Sequence, residues 1–200
     1  MAKQTYFKPV THLDGSNCFV THRFLKATDQ NDASLVYVGE LVRILASGEV
    51  ARLTPAQVTA AVDGTFGALG VVARVLVNEA GRPRVHGLSQ SPQQHPNISL
   101  SGDADFLDVY VDPQVVYQIS VDGSAGRSLI GQTVGLVATA RTTAAGIPGV
   151  MLDTSVSASS FLPIKIIGIA DSELASRAGS VDGKVQCVLN HQVTKVTRSF

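Results

Sequence analysis

The chain has 200 residues, with 16 Lys+Arg against 16 Asp+Glu, only 16% charged residues, and 6% aromatics without Trp. A formal net charge of zero argues against a protein that wraps nucleic acid, because phosphate neutralisation needs an excess of Lys and Arg. The 44% hydrophobic content excludes an acidic, solvating disordered chain, and a near-neutral, charge-poor surface favours association.

Val is the commonest residue, and 18 Gly and 8 Pro punctuate the sequence. Stiff β-branched side chains fit a pleated surface better than a helix. The expected fold is therefore all-β: a β-barrel or β-sandwich of about ten short antiparallel strands, with at most one or two short helices and an extended N-terminal arm. Residues 1–20 lack a sustained period and read as that arm; residues 21–200 read as a single β-rich domain. A chain of this size buries about 70% of its unfolded surface and needs neither disulfide nor metal to fold.

In chain order, 21–27 reads as a short strand, and 28–34 as a polar turn. The apolar run from Ser34 to Leu45 is broken by Gly39, which predicts a bend or bulge. Glu49-Val50-Ala51-Arg52-Leu53 alternates and predicts a hairpin partner for 41–45. Thr54-Pro55 is a helix-start signature, leaving either a short helix or a strand over 57–62. A strong strand covers 69–77. Residues 82–104, with Pro83, Pro92 and Pro96, read as a long loop. Strands follow at 106–113 and 115–121, separated by Pro113. Residues 129–140 read as a short helix and then a strand over 134–139. A short strand at 149–153, a strong one at 161–170, a polar excursion over 171–183, a last clear strand at 184–190 and a tail at 193–197 complete the pattern.

No stretch carries a recognisable catalytic or metal motif. The histidines His12, His22, His86, His95 and His191 show no zinc-type spacing, and the expectation is no metal and no cofactor. Asp103, Asp105, Asp108 and Asp112 cluster, but the Gly and closing Glu of a calcium loop are missing. On a strand, Asp108 and Asp112 share one face with Tyr110, read here as a solvated face flanked by turn aspartates. Gly64, Gly67 and Gly70 precede a strand and suit a turn rather than a phosphate cradle. The small basic patch of Arg82, Arg84 and His86 lacks aromatic interleaving, so no nucleic-acid partner is expected. Cys18 and Cys187 form either one long-range disulfide or, the favoured reading, two separate partly buried thiols. The opening Met-Ala-Lys-Gln-Thr-Tyr has no apolar leader-like stretch, and no apolar run reaches about 18 residues; the expectation is synthesis in the cytoplasm and no membrane partner.

Several local patterns recur in a particular order. Phe7-Lys8-Pro9-Val10 and Asp14-Gly15-Ser16 come first, then Val38-Gly39-Glu40-Leu41-Val42 and Leu69-Gly70-Val71-Val72. Val109-Tyr110-Val111-Asp112-Pro113, Met151-Leu152-Asp153-Thr154-Ser155, Leu162-Pro163-Ile164-Lys165-Ile166-Ile167-Gly168 and Asn190-His191-Gln192 follow. In this order the chain resembles the capsid decoration, or cement, proteins of tailed bacteriophages. The resemblance implies a β-rich, non-catalytic protein that adds to the outside of an assembled icosahedral shell as trimers or dimers. Its partners would be the major capsid protein and further copies of itself, and its location the outer capsid surface of the virion.

No contact residue is carried over from that family. From the residues alone, Tyr6, Phe7 and Pro9 are the candidate partner-binding residues, because the arm has apolar side chains and no evident core to join. Such a segment either adds as an edge strand to a neighbour or is a frayed terminus. The competing readings are another virion component, such as a head-fibre or tail protein, and a β-barrel enzyme or ligand binder drawing on Asp108, Asp112 and His86.

Overall fold

Alternating apolar residues give strands that bury one face and show the other to solvent, and the chain carries many such stretches. A computed structural model describes residues 6–27, 36–53, 57, 68–79, 82–87, 106–139, 149–157, 162–170 and 183–190. Among them, twelve strands form two six-stranded antiparallel sheets, so the fold is all-β. The first sheet, sheet A, holds β1 (Lys8–His12), β8 (Val115–Ser120), β12 (Lys184–Leu189), β11 (Ile164–Ile169), β9 (Thr133–Ala138) and β10 (Val150–Ser157), in that spatial order. Sheet B runs β2 (Thr21–Leu25), β7 (Phe106–Tyr110), β5 (Ala68–Glu79), β3 (Leu41–Ile44) and β4 (Val50–Arg52), with β6 (Arg82–Gly87) paired to β5. One 3-10 turn, Arg127–Leu129, precedes β9.

Each sheet curls back on itself. In sheet A a parallel bridge joins Val121 to Leu152, and the Asp122 N–H donates to the Leu152 carbonyl at 2.9 Å. In sheet B a parallel bridge joins Lys26 to Val50, and the Ala27 N–H donates to the Val50 carbonyl at 2.9 Å. The outer strands β10 and β4 thus meet residues just beyond β8 and β2, which shields sheet edges that would otherwise pair with other chains. The curl creates two cores. Val42, Val50, Leu69, Val72, Leu107 and Val109 fill the interior of sheet B. The larger core packs Tyr117, Ile119, Leu152, Ile164 and Ile166 of sheet A with Leu41 and Val71 from the opposite face of sheet B, so the sheets share apolar contacts.

Most strands fall where alternation predicts them, including the β3–β4 hairpin. The loop expected over 82–104 is corrected at its start: Arg82–Gly87 is a strand, paired from Glu79↔Arg82 to Arg74↔Gly87. Its sequence lacks alternation and contains Pro83, but β6 pairs with β5 alone, and a proline is tolerated on an edge strand. The short helix expected from Leu129 onward is a single 3-10 turn, Arg127–Leu129, that ends at that residue, and the strand after it runs from Thr133 to Ala138. The helix-or-strand alternative over 57–62, the loop over 88–105, the 171–182 excursion and the 193–197 tail lie outside the described residues, apart from Gln57.

Neither cysteine is in a disulfide: Cys18 is exposed and Cys187 is buried. Burial pushes the Cys187 thiol well above its ordinary value of 9.0. Burial likewise lifts the Tyr117 phenol well above 10.0, with the nearby Tyr110, Cys187 and Asp112 adding to the effect. Both groups keep their protons in the folded state, whereas an unfolded chain releases them at the ordinary values. The stability these two groups contribute is therefore fully present below about pH 9 and is lost as pH rises past that value, more steeply past about pH 10, by about 1.4 kcal/mol per pH unit for each group. Urea titrations from about pH 8 to about pH 11 are expected to show this decline, with Cys187→Ala flattening its first part. A decline of equal slope in that variant between about pH 9 and about pH 10 contradicts the assignment.

Candidate interaction surface

The structure gives Phe7 a core to join, which corrects the expectation that the arm has none. Its side chain is fully buried and meets Tyr117 edge to face at 5.8 Å, a favoured aromatic geometry. Its N–H donates to the Gly39 carbonyl at 3.0 Å. That carbonyl lies in the turn Tyr37-Val38-Gly39-Glu40, which the buried Glu40 closes by accepting the Tyr37 N–H at 2.9 Å. Gly39 has φ +85°, a region L side chains rarely adopt, and a Cβ there would sit 3.0 Å from both the Phe7 carbonyl and the Tyr6 ring. Pro9 lies in β1 opposite Tyr117, next to a bulge between Pro9 and Thr11. Of the three candidate contact residues, Phe7 faces this chain's own interior, while Tyr6 and Pro9 are half-buried.

The end of β1 is tied to the crossover between sheets. His12 is buried, with Nδ1 3.6 Å from Asp112 Oδ2. Its ring lies 5.3 Å from that of Phe19, which in turn meets Tyr110 at 5.7 Å. Asp112 also accepts the Gln114 N–H at 2.8 Å, holding the turn from β7 into β8. The buried His12 Nε2 and Tyr117 hydroxyl have no hydrogen-bond partner among the described residues. This corner is an anchor: it fixes the arm against the crossover.

The face of sheet B that turns outward across β2, β7 and β5 carries a different arrangement. Register places Thr21, Tyr110 and Val71 in one row, Arg23, Asp108 and Arg74 in the next, and Leu25, Phe106 and Leu76 in a third. The first row meets the larger core through Val71 and Tyr110. Burial raises the Tyr110 phenol, and the Arg74 charge beside it opposes that rise. In the second row Asp108 is only 2% exposed. Arg23 Nε donates to Asp108 Oδ1 at 2.9 Å and Nη2 to Oδ2 at 3.4 Å, while Arg74 Nη2 lies 2.8 Å from Oδ2. The Asp108 hydrogen bond and charge raise the Arg23 guanidinium above its ordinary value. In the third row Leu25 and Phe106 are exposed and directly opposed, and Leu76 is buried.

Asp108 is therefore not the solvated strand carboxylate expected from local sequence. Its partner Arg23 is 85 positions away, a pairing that no local pattern carries. Asp112 lies beyond the strand beside His12 instead, so these two carboxylates serve different partners. Asp103, Asp105, His95 and His191 lie outside the described residues. Among the described residues no group of three or more His, Cys, Asp or Glu is placed to hold a metal ion, and no helix is long and apolar enough to cross a membrane.

The two sides of the Arg23–Asp108–Arg74 row are energetically unequal. Both guanidinium groups are about half exposed, whereas the carboxylate is almost fully enclosed. Asp108→Ala frees two arginines to hydrate and is expected to cost about 2 kcal/mol, the worth of hydrogen bonds to charged groups. Removing one arginine leaves the carboxylate paired, but removing both strands a buried charge, which is strongly destabilising. The double variant Arg23→Gln/Arg74→Gln should thus lose more stability than the sum of its single variants. Strict additivity in urea denaturation contradicts the shared pairing.

No protein-family model, curated protein or solved structure matches the chain.

Proposed function

We propose that the protein is a non-catalytic virion component that binds the outside of an assembled bacteriophage capsid and stabilises it. The reading rests on the ordered series of motifs from Phe7-Lys8-Pro9-Val10 to Asn190-His191-Gln192, which spans most of the chain. A charge-poor, net-neutral surface supports it, since many close-packed copies then neither repel nor attract strongly. The mechanism is linkage: a protein that binds only the assembled shell stabilises that shell by mass action. Bridging of neighbouring capsomers by a dimer or trimer multiplies the effect through effective concentration.

Gel analysis of purified particles made by the virus that encodes this chain tests the reading. A band near 21.0 kDa, at a copy number comparable with that of the major capsid protein, is expected. A trace band, or one at the few copies typical of a tail or head fibre, overturns the decoration role.

A further inference from the structure

The Arg23–Asp108–Arg74 row and the Leu25–Phe106 pair beside it lie on one face of sheet B. We propose that this face docks an acidic segment of a partner protein, with Arg23 and Arg74 taking its carboxylates and Leu25 and Phe106 receiving an adjoining apolar side chain. The partner need not be a capsid protein for this surface to act.

Charge complementarity sets the occupant. The chain as a whole is neutral, yet this row sets two arginines, Arg23 and Arg74, against the single carboxylate of Asp108, giving 2 − 1 = +1. Arginine presents a planar fork of five donors that matches a carboxylate in two-point contact, which lysine does not. Asp108 occupies two nitrogens of Arg23 and one of Arg74, so each guanidinium keeps donors for a second acceptor. Among the described residues Asp108 is the carboxylate that pairs with either arginine. Both arginines are about half exposed.

The buried carboxylate also lowers the entropic cost of docking. A free surface arginine loses much rotamer freedom when it binds. Here two guanidinium groups are held at one buried anchor before a partner arrives, which is how a supporting residue positions a binding group. The negative charge between them breaks the cationic row into two separate sites. That pattern suits discrete side-chain carboxylates better than the continuous phosphate track of a nucleic acid. The exposed, directly opposed Leu25 and Phe106 form an apolar contact next to the charges, the usual composition of a small docking patch.

The test uses the full chain and a fluorescent synthetic peptide of alternating Glu and Leu, with a Gln/Leu peptide and oligothymidylate as comparison probes. The Glu/Leu peptide should bind in a salt-sensitive way, and the Gln/Leu peptide should not. Arg23→Gln and Arg74→Gln should each weaken binding by at least about tenfold, Arg74→Lys by less, and Leu25→Ser measurably. Arg127→Gln, an exposed arginine outside sheet B, should bind as the parent does. Each single arginine variant leaves Asp108 one partner, and melting temperatures within a few degrees of the parent confirm that it is folded; Leu25→Ser reports on the same face without touching Asp108. No binding of the Glu/Leu peptide, equal loss in Arg127→Gln, or tighter binding of oligothymidylate that the same two variants abolish each overturns the proposal.

Discussion

Phe7→Ala should lower the stability of the fold by about 3–5 kcal/mol, the range for removing a fully buried Phe side chain. The ring contributes to the larger core together with Tyr117, Val115 and Leu41, and its loss leaves a hole bounded by both sheets. Backbone relaxation is restricted on the turn side, where the Phe7 N–H is fastened to the Gly39 carbonyl. Tyr6→Ala removes a half-buried neighbour and should cost much less. Urea denaturation with an unchanged m value separates the two. A loss below about 1 kcal/mol for Phe7→Ala, small for any core aromatic, means that the arm leaves the core in solution and restores it as a free partner-binding segment.

Gly70→Ala should cost about 3 kcal/mol, at the upper end of overpacking effects. A Cβ at Gly70 meets the backbone carbonyl oxygen of Tyr110, with the carbonyl carbon at 2.9 Å and the Val109 Cγ1 at 3.0 Å. A carbonyl cannot rotate away as a side chain does, so β5 and β7 must move apart. The same two strands carry Arg74 and Asp108, and the displacement should disturb that ion pair as well. Gly168→Ala on β11 is the comparison: its Cβ meets the far end of the flexible Gln186 side chain at 3.2 Å. There the entropic gain of replacing glycine, about 0.5–1 kcal/mol, offsets a small adjustment. Equal stability losses in the two variants contradict the close approach at Gly70.

Local pattern carries the parts of this fold that local chemistry decides. Alternation marks β4 and β8, the valine-rich stretch 71–77 marks β5, and Gly39 marks the bend where a positive φ is needed. What depends on distant partners is not written in a short window. Arg82-Pro83-Arg84-Val85-His86-Gly87 is a strand because β5 extends far enough to pair with it, not because of its own propensity. Phe7 looks unpartnered beside polar neighbours until Tyr117, from β8, closes over it. Asp108 looks like one of four surface aspartates until β2 and β5 bring arginines to both of its oxygens. The zero net charge likewise conceals local imbalance, because it sums strands that carry more Lys and Arg than Asp and Glu with a more acidic remainder of the chain.

Electron cryo-imaging of intact particles of the virus proposed to encode this protein, made with and without it, tests the proposed shell-binding role most directly. A shell-binding protein should give repeated density on the outer face of the capsid that vanishes when the gene is deleted, together with a shell that opens at lower temperature. Density confined to the tail or to a single vertex, or particles unchanged in shape and heat resistance without the protein, would contradict it.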